Sequence, residues 1–140
     1  MRSFSFKPFQ ALCVMAWLGL AGVAQAHNDD WFDKHGTPHG GQVRMAGPYH
    51  LEWMPQPQGV LVYVTDHGDT PIPTAGWTAQ LVTLNAGKKT RIVLKPAGAN
   101  TLRGSGSVAA SAQAVLTVTP KAGEDYSARF QPVAAKTSPP

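Results

Sequence analysis

The chain has 140 residues, with twelve Lys or Arg, eight Asp or Glu and a formal net charge of +4. The sign is divided along its length: residues 27–69 hold six acids and two bases, net −4, while residues 70–140 hold eight bases and two acids, net +6. The bases are scattered without a dense run, which argues against a nucleic-acid binder, and the single cysteine excludes a disulfide framework.

The first element in chain order is a leader. Arg2 and Lys7 precede the apolar run "ALCVMAWLGLAGVA" (11–24), which ends at the small residues "AQA" (24–26). Those are the three regions of a secretory signal peptide, and the run is too short for a stable membrane span. Cys13 lacks the small residue before it that a lipoprotein signal needs, so no membrane anchor is expected. Cleavage after Ala26 would make His27 the first residue of an exported protein, with a bacterial periplasm as the expected location. About 114 cysteine-free residues would remain, enough for one domain with its own core and not for two.

After the leader no helical period of useful length appears. Residues 27–38, "HNDDWFDKHGTP", read as a flexible polar segment with two aromatics, and residues 132–140 have the composition of a disordered tail. Between them, short alternating or β-branched runs recur at 41–46, 49–54, 59–65, 78–84, 90–95, 111–119 and 126–130. Every connecting stretch carries Gly, Pro or Asn, the residues that let a chain reverse. Seven short strands at this spacing predict an all-β domain over 39–131, a single antiparallel β-sandwich of immunoglobulin-like architecture.

Turn geometry predicts the first registers. A two-residue turn at Gly47-Pro48 sets Met45 opposite His50 and Val43 opposite Glu52. A longer "PQPQ" loop (55–58) sets Met54 opposite Gly59 and His50 opposite Tyr63. Alternation then puts His50, Glu52 and Met54 on one face, and Tyr49, Leu51 and Trp53 on the other, which is the core face. The His50 face is left either to solvent or to cover by the N-terminal segment.

All five histidines, 27, 35, 39, 50 and 67, lie in the acidic part. A negative field around neutral imidazoles favours a cation, and His39, His50, Glu52, Asp66 and His67 are the candidate metal ligands. Nitrogen and oxygen donors suit zinc or copper(II), whereas thioether from Met45 or Met54 would move the preference towards copper(I). An oxygen-rich loop for calcium or magnesium is not present. His27 would add an N-terminal amine and ring chelate for copper(II). Coordination needs neutral imidazole, so affinity is expected to fall below about pH 6.5. A competing reading treats the same imidazoles as a decorated turn-rich surface. On that reading Asp66 and His67 are turn chemistry, His35 belongs to a polar turn, and Met45 and Met54 are packing residues. Trp31, Trp53 and Trp77 read as core or staple aromatics.

The stretches "PHGG" (38–41), "YHLEW" (49–53) and "VYVTDHGDTPIPTAG" (62–76), with "LKPAGANTLRG" (94–104) and "AVLTV" (114–118) downstream, carry a resemblance. Together they resemble the small periplasmic domain attached to, or found beside, adaptor subunits of heavy-metal efflux pumps of the resistance-nodulation-division type. The likeness covers about residues 38–131. It implies periplasmic metal handling, with His39, His50 and Glu52 as the positions carried over. The chain departs from the adaptors in lacking their coiled-coil hairpin, lipoyl-like and barrel domains, so it is not itself a pump connector. The resulting expectation is a copper- or zinc-binding protein of metal resistance or homeostasis, a carrier or an accessory to a metal-efflux complex, and not an enzyme. The alternative is an envelope interaction module without metal, docking through an edge strand. The mature serines carry no nucleophile motif beside a histidine.

Overall fold

The structure is a computed structural model that describes residues 29–109 and 111–132. The leader, His27 and residues 133–140 of the expected tail lie outside them. Within the segment 27–38, residues Asp29–His35 form a two-turn helix, α1. Eight strands follow: β1 (Gln42–Ala46), β2 (Tyr49–Gln56), β3 (Gly59–Asp66), β4 (Thr78–Asn85), β5 (Lys88–Pro96), β6 (Thr101–Ser105), β7 (Gln113–Thr119) and β8 (Tyr126–Phe130). All pair antiparallel in one sheet of order β1-β2-β3-β6-β5-β4-β7-β8. The sheet nearly closes on itself. The Gln131 N–H, just past β8, donates to Gln42 Oε1 in β1 at 3.1 Å. The all-β expectation holds.

One strand more than the seven expected is present, and it is β6. Its sequence, "TLRGS", runs into what reads as a Gly/Ser linker. Gly104 is not there to turn the chain. A Cβ at this position would sit 2.7 Å from the Val93 carbonyl oxygen and 2.8 Å from Ile92 Cγ2. The glycine lets two backbones approach inside a strand, a use that composition alone cannot tell from a turn. β5 is the splice of the sheet: Lys88–Leu94 pair with β4, whereas Lys95 and Pro96 pair with β6.

Of the two predicted hairpin registers, the first is observed, with Met45 opposite His50 and Val43 opposite Glu52. The second slips by two residues. Gln56 pairs with Gly59, so only Pro57 and Gln58 form the turn, and His50 faces Thr65 while Glu52 faces Tyr63. A slip of two keeps every side chain on its face, because the strand repeat is two. Leu51 and Trp53 are therefore core residues as expected, packed with Val60, Val62, Val64, Leu81, Leu102, Leu116 and Phe130. Trp53 meets Phe130 edge to face, with centroids 5.5 Å apart. Trp77 also joins the core, but Trp31 is 39% exposed and stacks instead on His35 at 4.5 Å.

α1 is pinned to β1 by charge. Asp33 holds Arg44 in a two-pronged contact of 3.0 and 3.1 Å, and Asp29 Oδ1 accepts the Met45 N–H at 3.0 Å. Arg44 is buried, so this fork also satisfies a guanidinium withdrawn from water. The helix closes with Gly36 at φ +79°, whose N–H donates to Phe32 O. Its buried Phe32 lies over the outward face of the β1-β2 hairpin, with its ring 5.0 Å from that of His50.

Candidate metal centre

The Pro-His-Gly-Gly stretch crosses the outward face of β2 and ends at Gly41, immediately before β1. A Cβ on Gly41 would lie 2.5 Å from Trp53 O and 2.7 Å from Met54 Sδ, so only glycine lets the chain come this close. The approach places Glu52 under three donors. Glu52 Oε1 accepts the N–H of His39 at 2.9 Å and that of Gly41 at 3.0 Å, and Oε2 lies 2.7 Å from His39 Nδ1. The side chain of Glu52 is 7% exposed. Burial would raise its pKa, but the His39 ring, the Gly41 N–H, the Thr37 hydroxyl and the His39 N–H together outweigh burial and hold it below the ordinary carboxylate value.

An ionised carboxylate only accepts hydrogen bonds, so His39 Nδ1 must carry the ring proton. In the neutral ring Nε2 then carries the lone pair. The ring plane is fixed as well, because His39 lies on Tyr63 with centroids 3.6 Å apart and planes 2° from parallel. Tyr63 is the cross-strand neighbour of Glu52. The imidazole is thus set in tautomer and orientation while its side chain stays 40% exposed.

His50, two residues before Glu52 on the same face, is buried at 3% exposure between Phe32 and His67. Its Nδ1 lies 3.5 Å from Asp69 Oδ1. Asp69 has φ +60°, a left-handed conformation uncommon away from glycine, at the end of the turn after β3. His39, His50, Glu52, Tyr63, Thr65 and Asp69, with Phe32, Pro38 and Val43, line one recess of about 110 Å³.

The five candidate ligands divide accordingly. His39, His50 and Glu52 meet at this recess. His67 stacks on the His50 ring at 4.9 Å, with Nε2 3.1 Å from the Gly47 carbonyl oxygen. Asp66 does not line the recess: Oδ1 accepts the N–H groups of Thr70 and Gly68 at 2.9 and 2.8 Å. Those two bonds lower its pKa, and the arrangement is that of an Asx-type turn. Neither Met45 nor Met54 lines the recess. Among the described residues, no three His, Cys, Asp or Glu side chains stand already grouped around a metal position.

Two participants escape the sequence reading. Tyr63 follows from the correct hairpin register, which two-residue closure at Pro57-Gln58 would have supplied. Asp69 stands in the same "DHGD" turn as Asp66 and His67, and nothing in the string says which of its two aspartates reaches a histidine. No protein-family model, curated protein or solved structure matches this chain.

Proposed function

We propose that the protein binds a copper(II) or zinc ion at the recess between α1 and the β2-β3 hairpin, in the periplasm after leader removal, as a carrier or an accessory to metal efflux. His39 and His50 are the nitrogen ligands, Asp69 is the nearest carboxylate to complete the set, and Glu52 orients His39 instead of ligating. His67 supports the His50 ring, and Asp66 shapes the turn that carries Asp69.

The observation that carries this reading is the buried carboxylate fixing His39 with Nδ1 protonated. Histidines that bind metal characteristically donate their other ring N–H to a carboxylate or carbonyl, which sets the tautomer and raises ligand basicity. A second imidazole on the same recess, with its own carboxylate 3.5 Å away, supplies the next donor. Because both thioethers stand off the recess, the donor set is nitrogen and oxygen, which suits zinc or copper(II) better than copper(I). The resemblance to domains accompanying heavy-metal efflux adaptors points the same way. An immunoglobulin-like sandwich is the finer architecture we propose within the eight-stranded sheet. The other reading, docking through an edge strand, has less support because the Asp29 carboxylate occupies the Met45 N–H of β1 and the Gln42 side chain of that strand accepts the Gln131 N–H just past β8.

Isothermal titration of zinc and copper(II) into the protein tests the assignment. Saturable binding that His39→Ala and His50→Ala each weaken at least tenfold is expected. Unchanged affinity in both variants overturns it.

A further inference from the structure

We propose that the outward face of β4, β5, β7 and β8 is a docking surface for an anionic phospholipid bilayer. The reading stands apart from the metal site and rests on how charge and apolar surface are placed around the sheet.

None of these four strands contains an aspartate or glutamate. Their registers build rows across the outward face. Arg91, Val82, Val115 and Arg129 form one row, and Lys89, Leu84 and Gln113 form the next. Val93 and Lys95 continue along β5 on the same face. Among the described residues every ion pair involves Arg44, His39 or His50, so none engages these four cations. Of the three large apolar side chains exposed among the described residues, two, Leu84 at 49% and Val93 at 60%, stand here between the cations.

Unpaired cations around projecting aliphatic tips match the chemistry of a bilayer surface. Lipid phosphates attract the former within a Debye length, and the interfacial zone takes the latter. Single-stranded nucleic acid fits less well, because stacking of bases needs aromatic side chains and no outward position of these strands carries one. The rest of the molecule favours one orientation. In the sheet order β4 stands four places from β2, so in a nearly closed eight-stranded sheet the two outward faces point apart. The acidic residues of α1 and the His39 recess are on the β2 side. A molecule seated by its basic face therefore turns the acidic groups of α1 and its recess to solvent, while Asp125, which shares a groove with Val93 and accepts from Thr119 Oγ1, stands at the margin of the face.

Co-sedimentation of the protein with phosphatidylcholine vesicles, with and without phosphatidylglycerol, tests the proposal. Retention is expected only on the anionic vesicles and falls as salt is added. Arg91→Gln should lower the partition coefficient about fivefold and Lys89→Gln/Arg91→Gln about twenty-five-fold, the effect of one and two basic residues near such a surface. Lys34→Gln, which removes the same charge from α1 on the opposite side, should change it less than about twofold. No retention on anionic vesicles at low salt, or equal retention on neutral ones, overturns the proposal. So does a Lys34→Gln loss equal to that of Arg91→Gln, or tighter retention on single-stranded DNA than on the vesicles under the same conditions.

Discussion

Replacing Glu52 by glutamine isolates the proton on His39. The substitution keeps volume and shape, and the amide oxygen still accepts from the His39 and Gly41 N–H groups that now point at Oε1. Its NH2 group then occupies the place of Oε2, 2.7 Å from His39 Nδ1. A donor cannot face a donor, so the ring changes tautomer and carries its proton on Nε2. The flipped amide is worse, because it sets NH2 against two backbone N–H groups. The variant should lose roughly ten- to a hundredfold in metal affinity, the usual effect of removing a carboxylate behind a ligating imidazole, or about 1.4 to 2.8 kcal/mol. Exchanging a buried charge-assisted hydrogen bond for a neutral one should also cost about 1–1.5 kcal/mol of stability, a fall in Tm on the order of 5 °C for a domain of this size. Titration calorimetry, thermal unfolding and the ¹⁵N shifts of the His39 ring read the three effects separately. Metal affinity equal to that of the parent, in a folded variant whose His39 tautomer has changed, would refute the link between carboxylate and ligand.

Three further outcomes follow from the same geometry. Glu52 has its pKa lowered in the folded chain, so its contribution to stability is complete above the unfolded carboxylate value and is lost as pH falls through the folded one. Tm should therefore fall on acidification below the ordinary value of 4.5, and Glu52→Gln should flatten that limb. Asp33→Asn breaks the fork to the buried Arg44 guanidinium and should cost about 1–3 kcal/mol by denaturant unfolding, with faster hydrogen exchange at the Met45 amide. Gly104→Ala drives a methyl against the Val93 carbonyl at 2.7 Å and should destabilise by about 1–3 kcal/mol, whereas the same change at the open Gly87 corner should act only through its positive φ of 77°.

Much of the β2 neighbourhood is legible in the string. Alternation from Tyr49 to Met54 decides which side chains go to the core, and the Gly47-Pro48 pair sets the first register to the residue. Even the misplaced second hairpin does no harm to the faces, since an error of two is invisible to a repeat of two. The missing strand β6 shows the limit. Glycine has the same letter whether it supplies a turn or admits a neighbouring backbone, and only the distance to Val93 tells which.

For the candidate site, the local string already holds the imidazoles, the glutamate that shares a strand face with His50, and the glycine pair that permits close approach. Those are properties of spacing, and spacing is written in one dimension. The roles are not. Glu52 orients His39 because a crossing segment brings three donors onto it, Asp69 and not Asp66 reaches His50 because one turn residue takes a left-handed conformation, and α1 covers the recess because Asp33 finds Arg44 eleven residues away. Each of these depends on contacts between parts of the chain that local periodicity does not connect, so most of the donors were readable beforehand, while Asp69 and the division into recess-lining group, orienting group and turn former were decided only when the sheet folded round.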